Sequence, residues 1–274
     1  MKYKALPLIF LILFSICLSC RLVSKPYWIK GGVYIEYRIG WGEKKGMPPA
    51  IAINADVRYV GEALELSIYK CYHFSNATYR IVFLNISGRY AFFKAYFTCW
   101  NISATWERIG IINVSGLFKV DLDNRSVYTA DGEYIGITPL WIPVANITPG
   151  KTKVALPLIN GSIRYMTPVA WGGRPIATFY RNFTRVIVFP LISLYYDRDT
   201  GVLLRAYTTF IDPVISYLLN CSFLAGTNVI LYETNIVFEE KHQTYPNIAW
   251  ILLPLSLILF IIYCLIILIK RKHK

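Results

Sequence analysis

From residue 31 to residue 122, apolar and polar positions alternate with a period of two through GGVYIEYRIG, ALELSIYK, TYRIVFLNIS, RYAFFKAYFTCW and GLFKVDL, and GTNVILYETNIVF resumes the pattern at residue 226. Successive side chains of a strand point to opposite faces, so this alternation specifies sheets with one buried face, and the abundance of Ile, Val, Tyr and Phe agrees. Helical spacing is scarce. Its best candidate is DPVISYLLNCSFL, residues 212–224, where Asp212 stands at a capping position and Pro213 suits the first helical position. The pattern predicts a mainly β fold: an antiparallel β-rich domain, as a curved sheet or a sandwich, with one or two short helices. WIPVANITPGK, Trp141–Lys151, is the candidate break between two halves, but one continuous domain is the preferred reading.

Continuous apolar runs replace the alternation at both ends. MKYKALPLIFLILFSICLSC has Lys2 and Lys4, an uncharged run and then small or polar residues, which is the grammar of a signal peptide over residues 1–20. That run, of roughly 15 residues, is shorter than the ~20 a spanning helix needs; an uncleaved anchor is the alternative. Cys17 and Cys20 form a C-x-x-C inside this targeting segment, which sets aside a redox or metal role, and Cys17 stands where a lipobox before Cys20 usually has Leu. The second run, Ile248–Ile269, is uncharged and at about 1.5 Å per residue reaches about 33 Å, enough to cross a bilayer as a transmembrane helix. Pro254 is tolerated in such a helix, and Tyr245 and Trp250 fall where an aromatic belt belongs. The basic tail, residues 270–274, then places the C-terminus in the cytoplasm and residues 24–247 outside, a single-pass type I topology in the plasma membrane.

Charge changes meaning once the ends are removed. Of 29 Lys and Arg, seven lie in the two terminal segments, so residues 24–247 carry 22 basic against 16 acidic residues, scattered rather than clustered. Nucleic-acid binding needs a basic stripe or patch, and none is visible.

The strongest signal is nine Asn-x-Ser/Thr acceptors among 13 asparagines: Asn76, Asn85, Asn101, Asn113, Asn124, Asn146, Asn160, Asn182 and Asn220. Chance supplies about one or two, and the excess points to N-glycosylation on a secretory or extracellular face. Asn160-Gly161 reads as a hairpin turn, Asn124 sits in the turn-like DLDNRS, and Asn85 and Asn113 precede Gly88 and Gly116. Thr148 of the Asn146 sequon is followed by Pro149, and Cys221 lies inside the Asn220 sequon. Of six cysteines only Cys71, Cys99 and Cys221 lie in residues 24–247; in an oxidising exterior Cys71 and Cys99 are the expected disulfide, leaving Cys221 buried or paired between chains.

Candidate chemistry is thin. Asp197 and Asp199 in YYDRDTGVLLRAY flank Arg198 and precede Gly201, which fits a type I turn closed by a glycine better than an acidic active site. DLDNRSVYTADGE, residues 121–133, has Ser126 where a calcium loop needs Gly, and reads as two hairpin turns. Glu62 with Glu65, or Asp121 with Asp123, would be the acid and base of a tethered hydrolase, but paired carboxylates on strands are commonly solvated. His73 and His242 are the two histidines outside the terminal runs, and WGGRP, residues 171–175, is a candidate binding loop. No nucleotide, zinc-protease or serine-hydrolase motif is present, so no cofactor, metal or catalytic residue is expected.

The hairpin Tyr195-x-Asp197-x-x-Thr200-Gly201-x-Leu203, the opening Gly32-x-Tyr34-x-x-Tyr37 and GEYIGITPLWI, residues 132–142, resemble elements of uncharacterised archaeal membrane-anchored surface proteins. The resemblance implies architecture and location, and a likeness to the curved sheets of lipoprotein carriers, without an activity. The expected function is therefore a non-enzymatic envelope component or binding protein, held in a lipid bilayer and meeting an envelope or S-layer partner. The alternatives are a carrier or sensor of an apolar ligand, and a membrane-tethered hydrolase; a viral or eukaryotic surface glycoprotein fits the sequons and topology as well.

Overall fold

The alternating runs become strands in a computed structural model that describes residues 26–40, 49–60, 63–103, 105, 107–144, 149–156, 159–167, 176–182 and 191–238. In chain order they are β1 Tyr34–Ile39, β2 Ala50–Val60, β3 Ala63–Ser87, β4 Tyr90–Ile102, β5 Arg108–Asp121, β6 Ser126–Thr129, β7 Tyr134–Ile137, β8 Lys153–Leu156, β9 Ile159–Thr167, β10 Ile176–Asn182, β11 Leu191–Asp197, β12 Leu203–Phe210, the helix α1 Pro213–Leu219, and β13 Phe223–Thr234. They form one antiparallel sheet in the order β7-β6-β5-β4-β3-β1-β13-β12-β11-β10-β9-β8, with β2 pairing both β13 and β3. The described residues belong to one compact unit, Met1–Phe238; the second unit, Glu239–Lys274, lies outside them.

ALELSIYK and TYRIVFLNIS, separate runs in the sequence, are one strand of 25 residues. The first part of β3 pairs with β2 and the later part with β1, and the register of β3 against β4 shifts between Ser75 and Thr78, where Asn76 has φ 47°. A bulge there allows one strand to change neighbours without ending.

The sheet curls on itself. Ile142 N–H donates to Gly201 O at 2.9 Å, Leu203 N–H donates to Leu140 O at 2.8 Å, and Trp141 bridges Val202. Residues 140–142 directly follow the edge strand β7, whereas β12 is eighth in the order counted from that edge. On a flat sheet they would lie about 34 Å apart at ~4.8 Å per strand. Inside the curl, Ile35, Tyr37, Phe74, Tyr79, Ile81, Phe83, Phe97 and Phe210 are almost completely buried. Trp28 joins them edge-on to Phe83 and Trp141. Helix α1 packs against β4, β5 and β7, with Tyr217 edge-on to Phe118. It starts where Asp212 and Pro213 predict, and ends at Asn220 in the left-handed conformation, shorter than the 13-residue run because Phe223 already pairs with Ile53 of β2.

Three local expectations are corrected. Asn160-Gly161 is not a turn: Leu156 faces Ile159 and Ala155 faces Asn160, so Asn160 lies within β9 and the chain has already reversed before Ile159. Gly116, and with it Asn113, lies in the middle of β5 instead of near a turn. The expected Cys71–Cys99 bridge is not formed. Both are free thiols, Cys71 exposed and Cys99 buried. The pairings Phe74–Asn101 and Thr78–Thr98 set Cys99 opposite the Asn76 bulge, several residues along β3 from Cys71. Among the described residues no helix is long and apolar enough to cross a membrane; residues 1–20 and 248–274 lie outside them.

Candidate functional site

The three stretches that carry the resemblance are distant in sequence and meet at one place. The Asp197–Gly201 turn is held by Asp197 itself, whose Oδ2 accepts from the Thr200 N–H at 2.7 Å and from the Thr200 hydroxyl at 2.6 Å. Gly201 closes it at φ +74°, and a β-carbon there would stand 2.2 Å from Ile142 O, so glycine serves both the turn and the approach of residues 140–142. Trp28 Nε1–H donates to Thr200 O at 2.8 Å and the Tyr37 hydroxyl to Leu203 O at 2.9 Å. The two carboxylates do not converge on a shared substrate position: Asp197 holds the turn, while Asp199 pairs with Arg198 at 3.3 Å. This is a structural clasp that joins the opening segment, the central element and the late hairpin.

Beneath the clasp lies a buried polar layer built on Arg125 and Asp212. Arg125, 5% exposed and at φ 65°, donates to the carbonyls of Thr138, Trp141 and Ala155. Burial holds its pKa below the ordinary arginine range, and the nearby Tyr196 hydroxyl opposes that shift. Asp212 caps α1: its Oδ1 accepts from Val214 N–H, Ile215 N–H and the Tyr79 hydroxyl, each at 3.0 Å. Oδ2 has no partner among the described residues. Burial raises its pKa to about 6, outweighing the three donors, which favour the charged form. Burial first, and Asp212 second, push the Tyr79 hydroxyl far above its usual value. The sequence held a signal for Asp212, as the residue before a proline-initiated helix; Arg125 was masked as the middle residue of the Asn124 sequon.

The outer face of the sheet is aromatic and cationic. On β1 and β3, Glu36 stands opposite Arg80 and the two form an ion pair at 3.3 Å, while Arg80 also lies over the Tyr34 ring, 4.3 Å from its centroid. Arg38 covers Tyr232, Lys94 faces Tyr96, Arg108 faces Trp100, and Lys119 lies between Tyr90 and Tyr128. Such contacts contribute about 0.5–1 kcal/mol each at exposed positions. They hold long cationic side chains flat against the sheet, and together with Leu84, Ile86, Ile109, Ile111 and Leu117 they make a mixed apolar and basic surface.

Six of the nine sequon asparagines have described side chains, and none is in the core: Asn76, Asn85, Asn113, Asn124 and Asn220 are exposed and Asn101 is half-buried. They occupy a bulge, strands, a turn and a helix end, so the shared property is exposure and not turn geometry. Asn160 and Asn182 fall on the described backbone of β9 and β10; Asn146 lies outside the described residues. Of the candidate acid–base pairs, Asp121 is buried in an ion pair with Arg89 at 3.2 Å while Asp123 is exposed in the next turn, and Glu65 is exposed on β3; Glu62, His242 and residues 171–175 lie outside the described residues. Residues 121–133 contain the two reversals β5–β6 and β6–β7, as two hairpin turns require. Comparison with known proteins gives no match to a family model, a curated protein or a solved structure.

Proposed function

We propose that the chain is an N-glycosylated, single-pass surface protein whose residues 24–247 stand outside the cytoplasm as a non-enzymatic envelope component or binding protein. The observation that carries this reading is the excess of sequons, nine among 13 asparagines, in a stretch bounded by a signal-like segment and an apolar run with a basic tail. Exposure of five of the six described sequon side chains is compatible with it, although exposed asparagine is ordinary. The mixed aromatic and basic outer face, bearing Asn113 and bordered by other sequons, leaves limited bare surface for an envelope or S-layer partner. The archaeal assignment rests on the three short motifs, and their convergence in one clasp supports reading them as one structural unit.

A carrier needs interior room, and among the described residues the interior of this curl is occupied by Tyr37, Tyr79, Phe74, Phe83 and Phe97. The outer face is therefore the favoured place for recognition. Mass spectrometry of the full-length protein from its native membrane in mild detergent tests the proposal. Occupied sequons, a mature N-terminus near residue 20 and a co-purifying envelope protein are the expected result; unmodified sequons throughout would overturn it.

A further inference from the structure

Among the described residues, a depression on the outer face contains a sequon asparagine. It is an open depression of about 410 Å³ whose lining includes Leu84, Asn85, Phe92, Leu117, Lys119 and Ala130. Its exposed apolar floor is unusual for a solvated strand surface: Leu84 is 50%, Leu117 52% and Phe92 37% exposed. Asn85 and Phe92 are direct cross-strand partners, and β3 bulges between Phe83 and Asn85, which brings Leu84 and Asn85 to the same depression. The bulge is clamped from outside. Gly32 N–H donates to Phe83 O at 2.8 Å, Phe83 N–H donates to Val33 O at 2.8 Å, and a β-carbon on Gly31 would lie 2.8 Å from Leu84 O.

We infer that the N-linked glycan of Asn85 folds back into this depression and covers Phe92 and Leu117, which rests on the glycosylation proposed above. In the attachment, Asn85 Nδ2 loses a proton and bonds to the anomeric carbon of a polyprenyl-phosphate-linked oligosaccharide, whose phosphate-bearing lipid leaves. The first sugars are thus tethered beside Phe92. A pyranose has one face made largely of C–H groups, which packs on an aromatic ring, and hydroxyl edges that suit the Lys119 ammonium and water. Contiguous exposed apolar side chains mark interaction sites, and a tethered sugar is present beside these at high effective concentration. Two other described sequons have different surroundings: Asn113 faces Thr98 across the ladder, and Asn124 accepts from Ser126 N–H within its own turn.

Hydroxyl-radical footprinting of the full-length, detergent-purified glycoprotein tests this, with residue-level oxidation read by mass spectrometry in the native chain, Asn85→Gln and Asn124→Gln. Oxidation of Phe92 and Leu117 is expected to rise about twofold or more in Asn85→Gln, with no change at Tyr232 and no change at any of these in Asn124→Gln. Equal oxidation of Phe92 in the native chain and Asn85→Gln, with Asn85 occupied, overturns the inference and leaves the surface-glycoprotein reading intact. An unmodified Asn85 among otherwise occupied sequons does the same. Protection of Phe92 that survives Asn85→Gln and fades on dilution assigns the depression to a second copy of the chain and overturns it as well, whereas a chain unmodified at every sequon overturns both readings.

Discussion

Asp212 makes stability depend on pH in the direction opposite to that of an ordinary salt-bridged carboxylate. Its burial raises the pKa from the usual 3.8 to about 6, so the folded state holds the proton more tightly than the unfolded state. Between these values the folded chain binds more protons, and stability falls as pH rises. The stabilisation is fully present below about pH 4 and lost by the time pH exceeds about 6. With a tenfold change in proton affinity equal to about 1.4 kcal/mol, the full effect is about 3 kcal/mol, or about 6–12 °C in Tm for a domain of this size. Other carboxylates titrate over the same range, so the comparison is with Asp212→Asn, which keeps an oxygen acceptor for Val214 and Ile215 but cannot ionise. Thermal melts of both proteins from pH 4.5 to 7.5 should show the variant gaining on the native chain as pH rises. A difference in Tm that stays flat over that range would refute the reasoning, because it would mean that the buried carboxylate is either solvated or already neutralised.

Gly201→Ala places a methyl group 2.2 Å from Ile142 O at a backbone angle that alanine disfavours. It should cost at least about 3 kcal/mol, read as a Tm loss of about 6 °C or more or as failure to fold; a native-like melt contradicts the clasp. Arg125→Met leaves the carbonyls of Thr138, Trp141 and Ala155 without their guanidinium donor. Denaturant unfolding should show a loss of roughly 3–5 kcal/mol, and Arg125→Lys should fall between, since an ammonium lacks the planar fork. Cys99 and Cys221 are buried, and burial pushes both thiols to about 12, while Cys71 is exposed. Alkylation of the native protein at pH 8 should therefore modify Cys71 well before the other two, and equal labelling of the three by peptide mapping would contradict the assigned burial.

The sequence by itself determined the local structure. Period-two alternation specified strands because neighbouring side chains must face opposite ways, Asp212-Pro213 specified a helix start, and Asp197 with Gly201 specified a turn that few other residues can make. The sequon excess was equally legible, since it is a property of composition. What the tertiary structure alone decided was which strands are neighbours: that β3 passes from β2 to β1 at Asn76, that β1 lies between β3 and β13, and that residues 140–142 reach Gly201 to make the sheet curl. The pairing of β1 with β13 and the contact of residues 140–142 with Gly201 join segments more than 50 residues apart, and alternation is the same whichever partner a strand takes. The burial of Arg125 and Asp212, the separation of Cys71 from Cys99 and the meeting of Asn85 with Phe92 follow from that register. No residue type announces them, because each depends on what the chain brings to the other side of the ladder.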